Sequence, residues 1–367
     1  MKKVLGLAAA GLLAFSAANA GTITVANSDL TLYGAVTAGF EAQDNDLLNT
    51  GKNNDTFRLY NVIVGLTKKA DPNSPIGFNV AFGQFEVPTV LASADVVNAG
   101  AGLIELGKTN DNFKPWLATV DIVPIDGLKI SGGILWSKYG EKPVTFLNPH
   151  IARGLMFVLF NPVVYTGARA EYNINLPGLG NVEVYAGYNQ ANGLFQQGVS
   201  DAYELGISGE LNLGAKIKYG LHYYDEAGGR NIWTLCLKSD FGLIKGGLQY
   251  SYVSKDDKIE TPDTKDSYWG LGINFNISLL DAAIANVEVP MRLEYVKLDS
   301  DGTDADTSED KIWSFTITPT WKPTKNTFLR AEYTYTKADS KIFTELDPPN
   351  ANKDTRSTYA IEAGFLF

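Results

Sequence analysis

The stretch STYAIEAGFLF, residues 357–367, decides the fold. Its alternate positions Tyr359, Ile361, Ala363, Phe365 and Phe367 are apolar, while Thr358, Ala360, Glu362 and Gly364 between them are small or polar. A period of two with one greasy face marks a β-strand whose one side lies against something apolar. The pattern recurs upstream. Ala215, Ile217, Tyr219, Leu221 and Tyr223 alternate with Lys216, Lys218, Gly220, His222 and Tyr224, and Trp269, Leu271, Ile273, Phe275 and Ile277 form another such face. Three near-repeats, ARAEY at 168–172, MRLEY at 291–295 and LRAEY at 329–333, carry it with charge. Their alanines, leucines, methionine and tyrosines share one face, and Arg169, Glu171, Arg292, Glu294, Arg330 and Glu332 share the other.

A soluble sheet would have to cover its apolar face with a second sheet or with helices. Apart from residues 88–98, no run has a convincing helical period, whereas a lipid-facing barrel needs no cover. Sixteen strands are expected, beginning near Thr31, Thr56, Ile76, Pro115, Leu128, Val163, Asn181, Asp201, Ala215, Arg230, Gly242, Lys265, Val287, Asp310, Asn326 and Arg356. The links between them alternate in length. Short ones such as IDG at 125 and NLG at 212 interleave with long ones such as 42–55, 87–114, 139–162 and 338–355, and only the short link 226–229 breaks the contrast. Periplasmic turns and external loops of outer-membrane barrels alternate in this way. The expected fold is therefore all-β, a transmembrane antiparallel up-and-down barrel of about sixteen strands. An alternating final strand that stops on phenylalanine also resembles the C-terminal signal of bacterial outer-membrane barrels. That resemblance implies Tyr359, Phe365 and Phe367 as an assembly signal read by the barrel assembly machinery.

Residues 1–20, MKKVLGLAAAGLLAFSAANA, join a basic start to a short apolar run and a small-x-small ending, as a secretory signal peptide does. Cleavage before Gly21 would leave residues 21–367 as one barrel domain in the outer membrane of a Gram-negative cell. Losing Lys2 and Lys3 takes the 31 basic residues to 29 against 41 acidic ones, a net charge of −12. Such a charge disfavours nucleic acid as a partner. Cys236 is the only cysteine, and the two histidines, His150 and His222, stand beside no serine motif and in no metal-ligand spacing. The expectation is no enzyme, no metal and no cofactor.

The link at 139–162 is too long for a hairpin turn and too apolar for a solvated loop. Following the fifth strand, it is expected to fold into the barrel, with Glu141, Lys142, His150 and Arg153 at a constriction. Arg169, Glu171, Lys216, Lys218, Arg292, Glu294, Arg330 and Glu332 are expected to line the pore, or to brace its wall. The glycine-rich GLKISGGILW from Gly127, the pair Gly140 and Glu141, then Asn148, Arg153 and the T-G-x-R of Thr166, Gly167, Ala168 and Arg169 together resemble the OmpL-like beta-barrel porin family. The resemblance is expected to cover residues 30–367 with its core at 127–172, and implies an outer-membrane diffusion channel. Where members often carry Asn-Gly-Trp after the next strand, this chain has Asn189, Gln190, Ala191, Asn192 and Gly193, which leaves the subfamily and the solute open.

The expected function is passive diffusion of small hydrophilic solutes and ions. A solute-specific channel, for a sugar for instance, and a closed structural or adhesin barrel stand as alternatives. Acidic external loops should favour cations weakly at the mouth. The acidic run DSDGTDADTSED at 299–310 reads as a solvated loop, with cation bridging to lipopolysaccharide as a second role. Outer-membrane lipid surrounds such a barrel, and both monomer and homotrimer stay open.

Overall fold

Strands whose two faces differ this sharply can hide their backbone polar groups only by pairing edge to edge until the sheet closes on itself. The computed structural model describes residues 22–25, 28–46, 55–92, 114–191, 200–226, 230–255, 267–280, 283, 285–299, 310–345 and 352–367, and it shows that closure. Sixteen strands wind in chain order. They are β1 Ser28–Gln43, β2 Asp55–Lys68, β3 Ile76–Phe85, β4 Lys114–Ile125, β5 Leu128–Trp136, β6 Val164–Leu176, β7 Gly180–Ala191 and β8 Ser200–Asn212. Then follow β9 Lys216–Glu226, β10 Arg230–Asp240, β11 Ile244–Lys255, β12 Ser267–Ser278, β13 Val287–Asp299, β14 Asp310–Ile317 resumed at Thr320–Trp321, β15 Thr327–Ala338 and β16 Thr355–Leu366. The break in β14 falls at Pro319, whose nitrogen has no hydrogen to give the ladder.

Every neighbouring pair is antiparallel, and β16 returns to β1 with Ala35 opposite Leu366 and Gln43 opposite Thr358. At that seam the Gly34 N–H donates to the Phe367 carbonyl at 2.8 Å, and the Phe367 N–H donates back at 3.1 Å. A Cβ on Gly34 would lie 2.3 Å from the Ile63 carbonyl oxygen and 2.5 Å from the Phe367 ring, so only glycine lets the seam close.

The alternation assigns sides as the sequence suggests. Leu293 is 45% exposed on the outer face and Arg292 2% on the inner. Tyr172, Leu329, Tyr359, Ile361 and Phe365 also face outward, where an apolar solvent suits them. Short and long links alternate in the expected phase. Residues 1–20, 93–113, 192–199, 256–266 and 300–309 lie outside the described residues, so the leader, most of the long link 87–114 and the acidic run at 300–309 do too. Strand lengths run from 8 residues in the first part of β14 to 16 in β1.

The link from β5 to β6 runs inside the barrel. Its ends meet where the Ser137 N–H donates to the Val163 carbonyl at 2.9 Å. Between them come a 3-10 turn at Thr145–Leu147 and a single short helix, α1, Leu155–Phe160. Leu155, Met156 and Phe160 pack with inward apolar side chains including Tyr165, Ile232, Val253, Val296 and Ile312. That burial explains why a loop is so greasy: it has a wall to pack on. Val163 closes the segment at φ 60°, a strained value for a β-branched residue, and its N–H is held by the Asn161 side chain at 2.9 Å.

Candidate functional site

Inward charges on the strands and backbone N–H groups on the loop find one another. The Glu294 carboxylate on β13 accepts from the N–H groups of Leu155 and Met156, at 2.8 and 3.1 Å, and so caps the start of α1. Glu332 on β15 accepts from Ile151 and Ala152 at 2.6 and 2.7 Å. Glu362 on β16 accepts from the Thr145 hydroxyl at 2.6 Å. Arg330 donates to the Asn148 carbonyl at 2.8 Å and also pairs with Glu362. On the far side, Arg230 and Tyr268 both donate to the Leu159 carbonyl at 3.2 Å. The loop thus crosses the lumen from β5 and β6, which it joins, to the arc of wall from β10 to β16, where β10, β12, β13, β15 and β16 hold it.

The four expected constriction residues come together on this loop with different surroundings. Glu141 accepts from Arg292 at 2.5 Å and from the Gly154 N–H at 2.8 Å. Burial works against its charge, but Arg292 and Arg153 outweigh that and hold the carboxyl below its ordinary range. Lys142 is half-buried at the cavity wall, its ammonium donating to the Ser137 carbonyl at 2.5 Å. Burial first, then Arg169, Lys238 and Lys138, push it down to about 7. His150 is buried with Nδ1 2.6 Å from the Thr318 hydroxyl, and burial together with Arg292, Arg153 and Arg330 holds it neutral. Arg153 is fully buried and ties the loop to itself, donating to the carbonyls of His150, Ile151 and Lys142. Its geometry is that of a brace.

Of the eight expected lining residues, Arg169, Glu171, Lys216 and Lys218 border a cavity of about 1120 Å³. Arg292, Glu294, Arg330 and Glu332 point inward too, but the loop covers them, so they face its backbone instead of water. Arg169 pairs with Glu204 at 2.7 Å, and Glu171 with Lys129 and Lys138 at 2.8 and 3.0 Å. The cavity lies on the short-link side of the loop, bordered from β3 to β13. Tyr139, whose ring stacks on His222 at 4.8 Å, also borders it.

The family described as "Putative beta-barrel porin-2, OmpL-like" matches residues 29–367. The chain belongs to this family. It is an outer-membrane porin, and the residues that carried the resemblance are loop fasteners: Glu141 holds Gly154, the Asn148 side chain clamps both backbone groups of Lys142, and Arg169 donates to the Trp136 carbonyl at 3.1 Å. Among solved structures, the outer-membrane protein OmpT of Vibrio cholerae is similar at 12% identity, TM-score 0.62, over 95% of this chain and 100% of that one. An anion-selective porin from Comamonas acidovorans follows at 13% identity, TM-score 0.56, over 93% and 100%. The outer membrane channel DcaP of Acinetobacter baumannii stands at 13%, TM-score 0.55, over 95% and 100%. At such identities the likeness is one of fold. No curated protein matches the porin's sequence.

Sequence reasoning passed over Lys238, Lys138, Lys129 and Glu204. Parity alone put Lys238 inward, since Trp233, Leu235 and Leu237 face out. What parity does not give is register: the β9–β10 pairing sets Lys238 directly opposite Lys218.

Proposed function

We propose that small hydrophilic solutes cross this porin passively through the cavity beside the inward loop, and that the loop, with Glu141 and Lys142 on its exposed edge, is the constriction. The observation that supports this is the fastening of residues 141–159 to inward side chains along the arc of wall from β10 to β16, which leaves aqueous space bordered by β3 to β13. Such a route needs no bond chemistry, and a fixed narrowing lets a few charges act strongly on whatever passes. Conductance of the refolded protein in a planar bilayer tests it. Large ohmic steps are expected. Steps blocked by one solute would mean a specific channel, and a silent bilayer a closed barrel.

Several further roles belong to the same reading. Residues 1–20 serve as an export signal cleaved before Gly21, and Tyr359, Phe365 and Phe367 present the barrel to the assembly machinery. The outward aromatic and aliphatic face meets lipid, with lipopolysaccharide on the long-loop side. A homotrimer is the proposed assembly, supported by a trimer form of in-vitro folded OmpT from Vibrio cholerae. Light scattering of the detergent-solubilised porin distinguishes it from a monomer.

A further inference from the structure

We propose that Lys142, Lys218 and Lys238 form a weak retention site for small hydrophilic anions, of the carboxylate and phosphate kind, on the short-link side of the loop. The inference rests on the conducting cavity just described and adds the sign of the solute, which the basic excess inside the barrel sets against the weak cation preference expected at the mouth from the acidic loops.

The cavity inverts the charge balance of the chain. Its border carries eight lysines and arginines against six aspartates and glutamates, whereas the whole sequence has 31 against 41. Most of the bordering carboxylates are already engaged. Glu171 and Glu183 hold Lys138, Asp240 holds Lys245 at 3.5 Å, and Glu141 holds Arg292. Among the described residues, Lys142 and Lys238 have no carboxylate within ion-pair distance. Lys218 reaches Glu210 only at 3.9 Å, and Lys216 shares that same carboxylate at 3.5 Å. Asp121 on β4 is the bordering acid without a basic partner among the described residues, and it stands six strands from β10.

Lys218 and Lys238 face each other across the β9–β10 ladder. Like charges directly opposite, with Cβ atoms about 5 Å apart, destabilise a sheet. The stem of Lys238 lies over Gly247, its Cγ 3.3 Å from where a Cβ would stand, so the ammonium is left free to reach the lumen. Lys142 closes the group from the loop, near enough to Lys238 and Arg169 for their fields to oppose its own proton. An ammonium has three donors and no acceptor, so these groups cannot satisfy one another. A carboxylate or phosphate can accept from two of them at once. Solvent access on one side keeps the hold weak, as passage requires.

The experiment uses the full porin in a planar bilayer under a KCl gradient, with inorganic phosphate as the probe. The expected result is a reversal potential on the anion side and a conductance that falls as phosphate is added. In the K218Q/K238Q variant the phosphate concentration needed should rise about tenfold and the reversal potential should move toward cations, while K218R/K238R should behave as the parent. A cation-side reversal potential in the parent, or phosphate block unchanged in K218Q/K238Q, overturns the site and leaves the conducting reading standing. A bilayer without steps overturns both.

Discussion

At the scale of single residues, Lys142 is where pH should be felt. Its ammonium faces Arg169 on β6 and Lys238 on β10, with Lys138, Glu141 and Asn148 on its own segment, and its pKa is lowered to about 7. A lysine is charged below its pKa, so its pull on anions is complete below pH 7 and is lost as pH rises through that value. Anion permeability relative to cation should therefore drop about two- to threefold between pH 6 and pH 8.5, and stay flat in Lys142→Met; equal slopes in both would remove Lys142 from the pore. The same shift bears on stability. Between about 7 and the ordinary 10.5 the unfolded chain holds a proton there that the folded one does not, so docking of the loop strengthens with rising pH over that window. Arg153 contrasts with Lys142. Its two Nη groups donate to three loop carbonyls and it is fully buried, so Arg153→Ala should loosen the loop and raise current noise, without the shift toward cations expected at Lys238.

At the scale of elements, the loop is held by carboxylates that the strands aim inward. Gly154 shows how tight the fit is, because a Cβ there would stand 2.1 Å from Glu294 Oε1. Gly154→Val should push that carboxylate off the N–H groups of Leu155 and Met156. Losing two charge-assisted hydrogen bonds costs about 3–6 kcal/mol of docking. Limited proteolysis should then cut within residues 137–163, while the barrel still runs as a folded species on an unheated gel; protection equal to the parent would show that Glu294 is not the latch. The charged face of ARAEY, MRLEY and LRAEY takes its meaning here. Arg292, Glu294, Arg330 and Glu332 brace a loop, Arg169 and Glu171 pair with Glu204, Lys129 and Lys138 at the edge of the cavity, and only the partner each meets separates the two uses.

At the scale of the whole molecule, closure depends on the seam between β1 and β16. Gly34→Leu places carbon in the space that the Ile63 carbonyl and the Phe367 ring occupy, and should abolish the heat-modifiable folded band. A normal band would mean that the seam tolerates displacement of Phe367. Alternation, strand number and link phase are all legible in the sequence, because a side-chain period of two and a lipid exterior leave the backbone few ways to satisfy its hydrogen bonds. The sequence alone determined which side chains turn inward, since each strand carries its own parity. The tertiary structure alone decided what those side chains meet there. Lys218 faces Lys238, Glu294 meets the start of α1 and Glu204 meets Arg169, in pairings between positions tens to more than a hundred residues apart. Register and the path of one loop create those pairings, and neither is written in the period of any single strand.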